Sequence, residues 1–471
     1  MRRVLTNAYL CFPLAVLLLI LVVASSVSEL WIISILAFIA ALIAIGWHKA
    51  PPVLVWMIAI NMLSIWADIA TIEIYNAGWD YGVIVYTFPD AIIQSSCAMI
   101  FLSIGIRGGL IIGGSMFRYR LSTPNDQMGT AAPYSVHRIA LAYILVQPVT
   151  ALLGIIGQAV PGLAQPTYAF SLLKFTLIYM LAAKIFATGR HFLLLTVVIV
   201  AEIVIGSTGF WASYKEGFFI VLIALAANSR SFTRKQAVLA FTGVAVVLYI
   251  SIAWTAVKKE YRADIVANGP WASFVWLAEK YTSAEFDFTT ATVDLLSRVG
   301  YTKYYAMVMT ANTDAEEGIY KRALLHIVTP RLFFPDKAIL DDSAQTTRVL
   351  GLRIDSKTSI GLGYVAQAYI DFGFPGLLIP MVVLGMIVGS IYTYFVTRRA
   401  PQLIREGFAV ACLFNSLAFA GNIDKEFGGL ITAFLVLALT LRYGAAILHR
   451  QLENKPRNTQ VRHVGQADFA P

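Results

Sequence analysis

Apolar runs fill most of this chain, and polar residues fall between them in short clusters instead of alternating with them as they would along strands. Runs near or above ~18 apolar residues read as helices that cross a bilayer, since a helix must hide every backbone polar group from hydrocarbon. Such segments fall near residues 5–24, 30–46, 52–72, 83–106, 139–160, 167–187, 192–208, 217–229, 236–257, 374–397, 406–421 and 428–448. They predict twelve crossings. The eighth is short, and either extends back through Trp211 or crosses only in part.

One long polar interval, 258–361, breaks this pattern. It holds thirteen of the 36 Lys/Arg residues and thirteen of the 27 Asp/Glu residues. Within it Val293, Leu296, Gly300, Tyr304, Met307 and Val308 recur at helical spacing, which predicts an amphipathic helix packed on the bundle or on the membrane surface. Pro330 and Pro335 interrupt regular structure around Arg331, and an irregular stretch follows through Asp341-Asp342-Ser343. The chain then returns toward the membrane through GLGYVAQAYIDFGFPGLL, where the turn Gly373-Phe374-Pro375-Gly376 marks the start of the tenth crossing. The expected organisation is therefore 1–257 with crossings 1–9, a large loop 258–361, a re-entrant segment with crossings 10–12 over 362–448, and a polar tail 449–471 without fixed structure.

Composition agrees with this reading. The 471 residues are 58% hydrophobic and 13% charged, with a mean hydropathy of +0.71, against about 25% charged residues in ordinary soluble domains. Cys11, Cys97 and Cys412 all lie in apolar runs and offer neither a disulfide framework nor a metal-ligand spacing. The net charge of +9 is concentrated in short loops on one side. Alternate threading assigns Arg2, Arg3, Lys49, Arg107, Arg118, Arg120, Arg138, Lys184, Arg190, Arg230, Arg234, Lys235, Arg398, Arg399 and Arg405 to that side, leaving only Lys215 and Lys425 on the short loops opposite. By the positive-inside rule both termini are cytoplasmic and the large loop is periplasmic. A topogenic charge distribution argues against a nucleic-acid partner. The first residues, MRRVLTNAYLCFPLAVLLLILVVASS, predict a retained first crossing, with a signal peptide cleaved near Ala24-Ser25-Ser26 as the alternative.

Charged residues inside apolar runs are costly and by default mark function. Four are present: Asp68, Asp90, Lys174 and Glu202. Asp68 and Lys174 either pair to hold the bundle or line a water-filled outer cavity; Glu202, four residues before Gly206, is a candidate for such a cavity. The following outer loop carries Ser207, Lys215 and Glu216. His326 is the one histidine of six assigned to the outer side, and an imidazole suits a general base or a phosphate donor. Arg331, Asp336 and Lys337 cluster in LLHIVTPRLFFPDK, where arginine binds phosphate oxygens in a two-pronged manner and lysine acts as a point charge. No Walker A loop, dinucleotide-binding glycine pattern, HExxH or Cys/His metal spacing occurs. Adjacent Asp341-Asp342 offers only a weak signal for a divalent cation, so no cofactor or metal is expected.

The stretch PRLFFPDK (Pro330, Arg331, Pro335, Asp336, Lys337) and the aromatic-x-D-x-G-x-x-G element at Tyr369, Asp371, Gly373 and Gly376 resemble the O-antigen polymerase (Wzy-type) family, the oligosaccharide repeat-unit polymerases. Gly206, Ser207 and Lys215 form a looser match, because the family carries its basic residue closer behind the Gly-Ser pair. The resemblance implies an all-α polytopic membrane protein of about 12 transmembrane helices with one large periplasmic loop, in the layout of lipid-donor (GT-C-like) glycosyltransferases. It implies an inner-membrane enzyme acting on polyprenyl-diphosphate-linked oligosaccharides, with a chain-length regulator as a further partner. Arg331 and Lys337 would hold the departing diphosphate, helped by Lys215 and Arg322 and with Asp336 beside them. His326, Glu216 or Asp371 would take the acceptor proton, although Asp371 equally suits a capping role at the turn. Tyr364, Tyr369 and Trp211 would stack on sugars. A flippase for a polyprenyl-linked glycan and an O-antigen ligase-like transferase are the alternatives; the absence of a visible internal repeat weighs against a repeat-built transporter.

Overall fold

The computed structural model describes residues 28–74, 84–116, 134–160, 162–207, 214–228, 234–264, 275, 279, 287–311, 318–329, 334, 341–352 and 360–453. The first apolar segment, the tail beyond Glu453 and the predicted site residues Trp211, Arg331, Asp336 and Lys337 lie outside these. The described residues form helices and no strands, apart from one isolated bridge between Tyr134 and Glu453. The chain is an α-helical membrane protein. Among the described residues seven helical segments are long and apolar enough to cross a bilayer: Ser28–Ile45, Pro52–Glu73, Thr87–Met116, Val136–Gly157, Ala164–Thr188, Leu378–Val396 and Ile423–Leu452.

In chain order the helices are α1 (Ser28–Ile45), α2 (Pro52–Ile74), α3 (Ile84–Met116), α4 (Val136–Ala159), α5 (Ala164–Ser171), α6 (Leu173–Thr188), α7 (Phe192–Ser207), α8 (Tyr214–Asn228) and α9 (Arg234–Asp264). The polar interval contributes α10 (Phe288–Val299), α11 (Thr302–Thr310), α12 (Ile319–Val328) and α13 (Asp342–Leu350). The chain closes with α14 (Tyr364–Gly376), α15 (Leu378–Val396), α16 (Gln402–Leu413) and α17 (Ile423–Leu452). The expected helix over Val293–Val308 is divided: α10 ends at Val299 and α11 begins at Thr302.

The tightest packing joins α3 to α15. Gly105 and Gly109 face Gly385 and Gly389 at four-residue spacing, and Gly113, four residues on, meets Thr393. A Cβ at Gly109 would stand 2.1 Å from the Met386 carbonyl oxygen, and one at Gly385 would stand 2.2 Å from that of Leu102. In lipid, helices gain little from apolar contact as such, so association depends on this close backbone approach.

The expected eleventh crossing, 406–421, is not one helix. Helix α16 stops at Leu413 after 12 residues, about 18 Å of rise, short of a hydrocarbon core of about 30 Å. Residues 414–422 continue without helix, and Leu417 is fully buried there with φ +55. A second non-helical stretch, Gly361–Gly363, lies against them. Gly363 has φ +88, and a Cβ on it would sit 2.6 Å from the Phe419 carbonyl oxygen, so glycine is needed for both conformation and space.

Helices α10–α13 gather at one set of helix ends. Ser64 and Asp68 of α2, Thr87 of α3 and Lys425 of α17 bond to them. The opposite ends carry the cations: Arg107 donates to Ala44 O, Arg138 to Gln451 O, and Arg405 to the Val396 carbonyl oxygen.

Replacing Gly109 by Val should force α3 and α15 apart and lower the unfolding midpoint of the detergent-solubilised protein, a loss of about 1–3 kcal/mol or more. Gly154, whose added Cβ would meet nothing within 4 Å, is the control, and Gly154→Ala should leave the midpoint in place. Equal midpoints for Gly109→Val and wild type would remove the glycine seam as a determinant.

Candidate functional site

The face formed by α10–α13 and the helix ends beneath it is held by side chains that accept backbone N–H groups. Asp68, 2% exposed within α2, accepts from Thr302 N at 2.6 Å and Lys303 N at 3.3 Å, capping α11 from below. Gly300 lets this happen, since a Cβ there would lie 2.1 Å from Asp68 Oδ1. Burial pulls the Lys303 ammonium below its ordinary range, and the Asp68 carboxylate partly opposes that. The Lys303 ammonium also donates to Ser297 Oγ at 2.8 Å, closing α10 onto α11.

Asp371 does the same for α12. Its Oδ1 accepts from Gly318 N and Ile319 N at 2.9 Å each, and its Oδ2 from Tyr320 N at 2.7 Å. Of the two roles open to Asp371 in the sequence, the geometry displays the capping one: both oxygens accept backbone amides. The Tyr320 hydroxyl donates to Tyr364 O at 2.9 Å, and its burial pushes it far above the ordinary phenol range.

Tyr364, expected to stack on sugars, is fully buried, and its hydroxyl donates to Asn61 Oδ1 at 3.2 Å inside the bundle. Its position at the first turn of α14, between α2 and the 414–422 stretch, removes it from any surface. Tyr369 is half-buried and packs edge-on against Tyr305 at 5.3 Å between centroids. On α12, Arg322 is exposed and His326 half-buried; four residues apart, they share one side of the helix.

A second polar cluster was not anticipated from sequence. Asn422 Oδ1 accepts from Leu362 N at 2.9 Å and Gly363 N at 3.3 Å, while its Nδ2 donates to Asp342 Oδ1 and Gln345 Oε1. Gln367 donates to Gln345 Oε1 at 3.0 Å and accepts from Ile423 N at 2.8 Å. Glu426 Oε2 accepts from Ala418 N at 2.9 Å. Lys425 pairs with Asp342, and Asp341 caps α13 through Ser343 N and Ala344 N. The adjacent acids are thus committed to a helix cap and an ion pair, and among the described residues no group of three or more His, Cys, Asp or Glu is placed to hold a metal. Amides at 345, 367 and 422 carry no distinctive spacing, so only their convergence reveals them.

Glu202 and Lys174 form an ion pair at 3.0 Å. Glu202 Oε1 also accepts from Tyr143 at 2.6 Å and Gln147 at 2.7 Å. Glu202 is 2% exposed, and the pair ties α4, α6 and α7 together. Asp90 is exposed on α3. Lys215 and Glu216 open α8, with Glu216 in the electrostatic reach of Lys174, Lys215 and Glu202. The predicted residues therefore fall in two groups: Arg322, His326, Tyr369 and Asp371 around α12 and α14, and Lys215, Glu216 and Glu202 around α7 and α8.

Comparison with known proteins adds one finding. The family described as Domain of unknown function (DUF8712) matches residues 124–420, more than half of the chain. The chain belongs to this family. The match takes in the whole polar interval, the α14 segment and α16, so the face just described lies largely inside it. No curated protein and no solved structure matches the chain.

Replacing Asp371 by Ala would leave three amides without their carboxylate, a cost of about 1–3 kcal/mol. A lowered unfolding midpoint is expected for the purified protein, together with faster hydrogen exchange at Gly318–Tyr320. Unchanged exchange at those amides would refute the capping role.

Proposed function

We propose that this protein polymerises polyprenyl-diphosphate-linked oligosaccharide repeat units at the periplasmic face of a bacterial inner membrane, in the manner of the O-antigen polymerases its motifs resemble. In this reading the chain crosses the bilayer about twelve times, both termini are cytoplasmic and the loop 258–361 is periplasmic. The concentration of cations at the helix ends opposite α10–α13 supports that orientation under the positive-inside rule.

The observation that carries the reading is the bond network of Asp371. This residue belongs to the aromatic-x-D-x-G-x-x-G element, and its carboxylate caps α12, the helix that runs directly into PRLFFPDK. One motif-like stretch thus holds the start of the helix that precedes the other in the sequence. The cap fixes the start of α12, and Arg331 follows the end of that helix in the sequence.

The chemistry in this reading is the one the resemblance implies. The acceptor sugar hydroxyl attacks the anomeric carbon of the growing glycan, a new C–O bond forms, and the bond to the lipid diphosphate breaks with inversion. Negative charge grows on the departing diphosphate, where fixed guanidinium and ammonium groups at 331, 337 and 322 would stabilise it. The acceptor proton passes to His326 or Glu216. Asp371, whose oxygens accept the first amides of α12, would act as a positioning residue.

Arg331→Ala is expected to abolish polymer while single-repeat glycans persist at the cell surface, read by gel display of surface polysaccharide. Arg331→Lys should also be poorly active, because a point charge does not reproduce a two-pronged contact. Loss of single repeats as well as polymer would point to flipping, and accumulation of unattached polymer would point to ligation.

A further inference from the structure

Acids on the side of α10–α13 fall into two kinds. Asp68, Asp341, Asp371 and Glu426 hold backbone amides, and Asp342 and Glu202 hold lysines. Glu216 does neither: among the described residues it makes no hydrogen bond and no ion pair. Lys174, Lys215 and Glu202 act on it only electrostatically, from a distance. It opens α8 beside the Lys174–Glu202 pair, where Gly217 comes so close that a Cβ on it would lie 3.3 Å from the Glu202 side chain. Glu216 is half-buried and Lys215 next to it is exposed. This is a carboxylate still free to accept.

Tyr168 of α5 lies within the same field. A hydrogen bond joins its hydroxyl to Asn415, and Glu216 and Glu426 both act on it. The Tyr168 ring is 54% exposed. Asn415, in the non-helical stretch 414–422, is exposed as well. With an amide at its hydroxyl and two acids nearby, the ring faces water and not lipid. The start of α5, the start of α8 and residues 414–422 therefore meet around a polar recess with one aromatic wall. Neither Tyr168 nor Asn415 belongs to the stretches that resemble the polymerase motifs.

The recess offers an aromatic face, an amide and an uncommitted carboxylate. Two acids disfavour an anionic head, and a hydrocarbon chain would match the ring but strand every other group. A sugar matches all three: its C–H face covers an aromatic ring, and its hydroxyls donate to a carboxylate and exchange hydrogen bonds with an amide. We propose that Tyr168, Asn415 and Glu216 form a saccharide-binding site between α5, α8 and the 414–422 stretch. The proposal rests on the polymerase reading only in calling this saccharide the acceptor repeat.

The test is saturation-transfer NMR of the full chain in phosphatidylcholine nanodiscs. The probe is the single-repeat oligosaccharide released from the producing strain's own surface polysaccharide. Wild type should transfer saturation to the sugar. Tyr168→Ala should weaken binding roughly tenfold, the loss of one aromatic contact, whereas Tyr168→Phe keeps the ring and should retain most of it. Asn415→Ala should weaken it roughly 3- to 10-fold, one neutral hydrogen bond, and carries the test if Tyr168→Ala does not fold. Tyr249→Ala, which removes a tyrosine exposed on α9, should bind as wild type does. Wild-type affinity in both Tyr168→Ala and Asn415→Ala would overturn the proposal. So would displacement of the sugar by inorganic phosphate at equal concentration, which would make this an anion site. Binding is read without polymer formation, so saturation transfer together with unchanged polymer in Arg331→Ala removes the enzymatic reading alone. Polymer lost in Arg331→Ala, with no transfer to the sugar in wild type, removes the saccharide site alone.

Discussion

A backbone amide shut away from water without an acceptor costs several kcal/mol, and in a bilayer no solvent is available to make up the loss. Continuous helices meet this demand internally, but this chain departs from continuous helix in several buried places. Each departure is met by a side chain. Asp68 caps α11, Asp371 caps α12, Asp341 caps α13, Asn422 takes the amides of Leu362 and Gly363, and Glu426 takes that of Ala418. Together with Ser64, Thr87 and Lys425, Asp68 and Asp371 fasten the polar interval to the bundle.

The same constraint shapes the interior. Two non-helical stretches, 361–363 and 414–422, lie side by side and share Asn422 as a common acceptor and donor. Irregular backbone at such depth is tolerated where it is buried in protein, and here it is walled by α2, α14 and α17. Opposite this irregular region stands the most regular one, the α3–α15 seam, where glycines bring two backbones into contact.

This division changes how the acidic residues are read. An acid in or near an apolar segment invites a catalytic interpretation, because its burial is costly. In this fold most such acids recover that cost by accepting amides or by pairing with lysine, as Glu202 does with Lys174 and Asp342 with Lys425. Around α12, by contrast, Arg322 and His326 share a side of the helix.

The sequence by itself determined the class of protein and the position of the seven helical segments long and apolar enough to cross a bilayer, because hydrocarbon thickness and backbone satisfaction leave a long apolar run few options. It also marked the polar interval and the Gly373–Gly376 break, which proline and glycine announce locally. The helix break at Gly300, the early end of α16 and the burial of Tyr364 were decided only by tertiary structure. Gly300 reads as one more stripe position until Asp68, 232 residues earlier in the numbering, arrives beneath it. Residues 414–421 are apolar enough for a crossing, yet Glu426 and the close approach of Gly363 hold them unwound. Asn422, Gln345 and Gln367 have no periodic or motif signature, since a hydrogen bond between residues distant in the chain is specified by where three helices meet and by nothing nearby in the sequence.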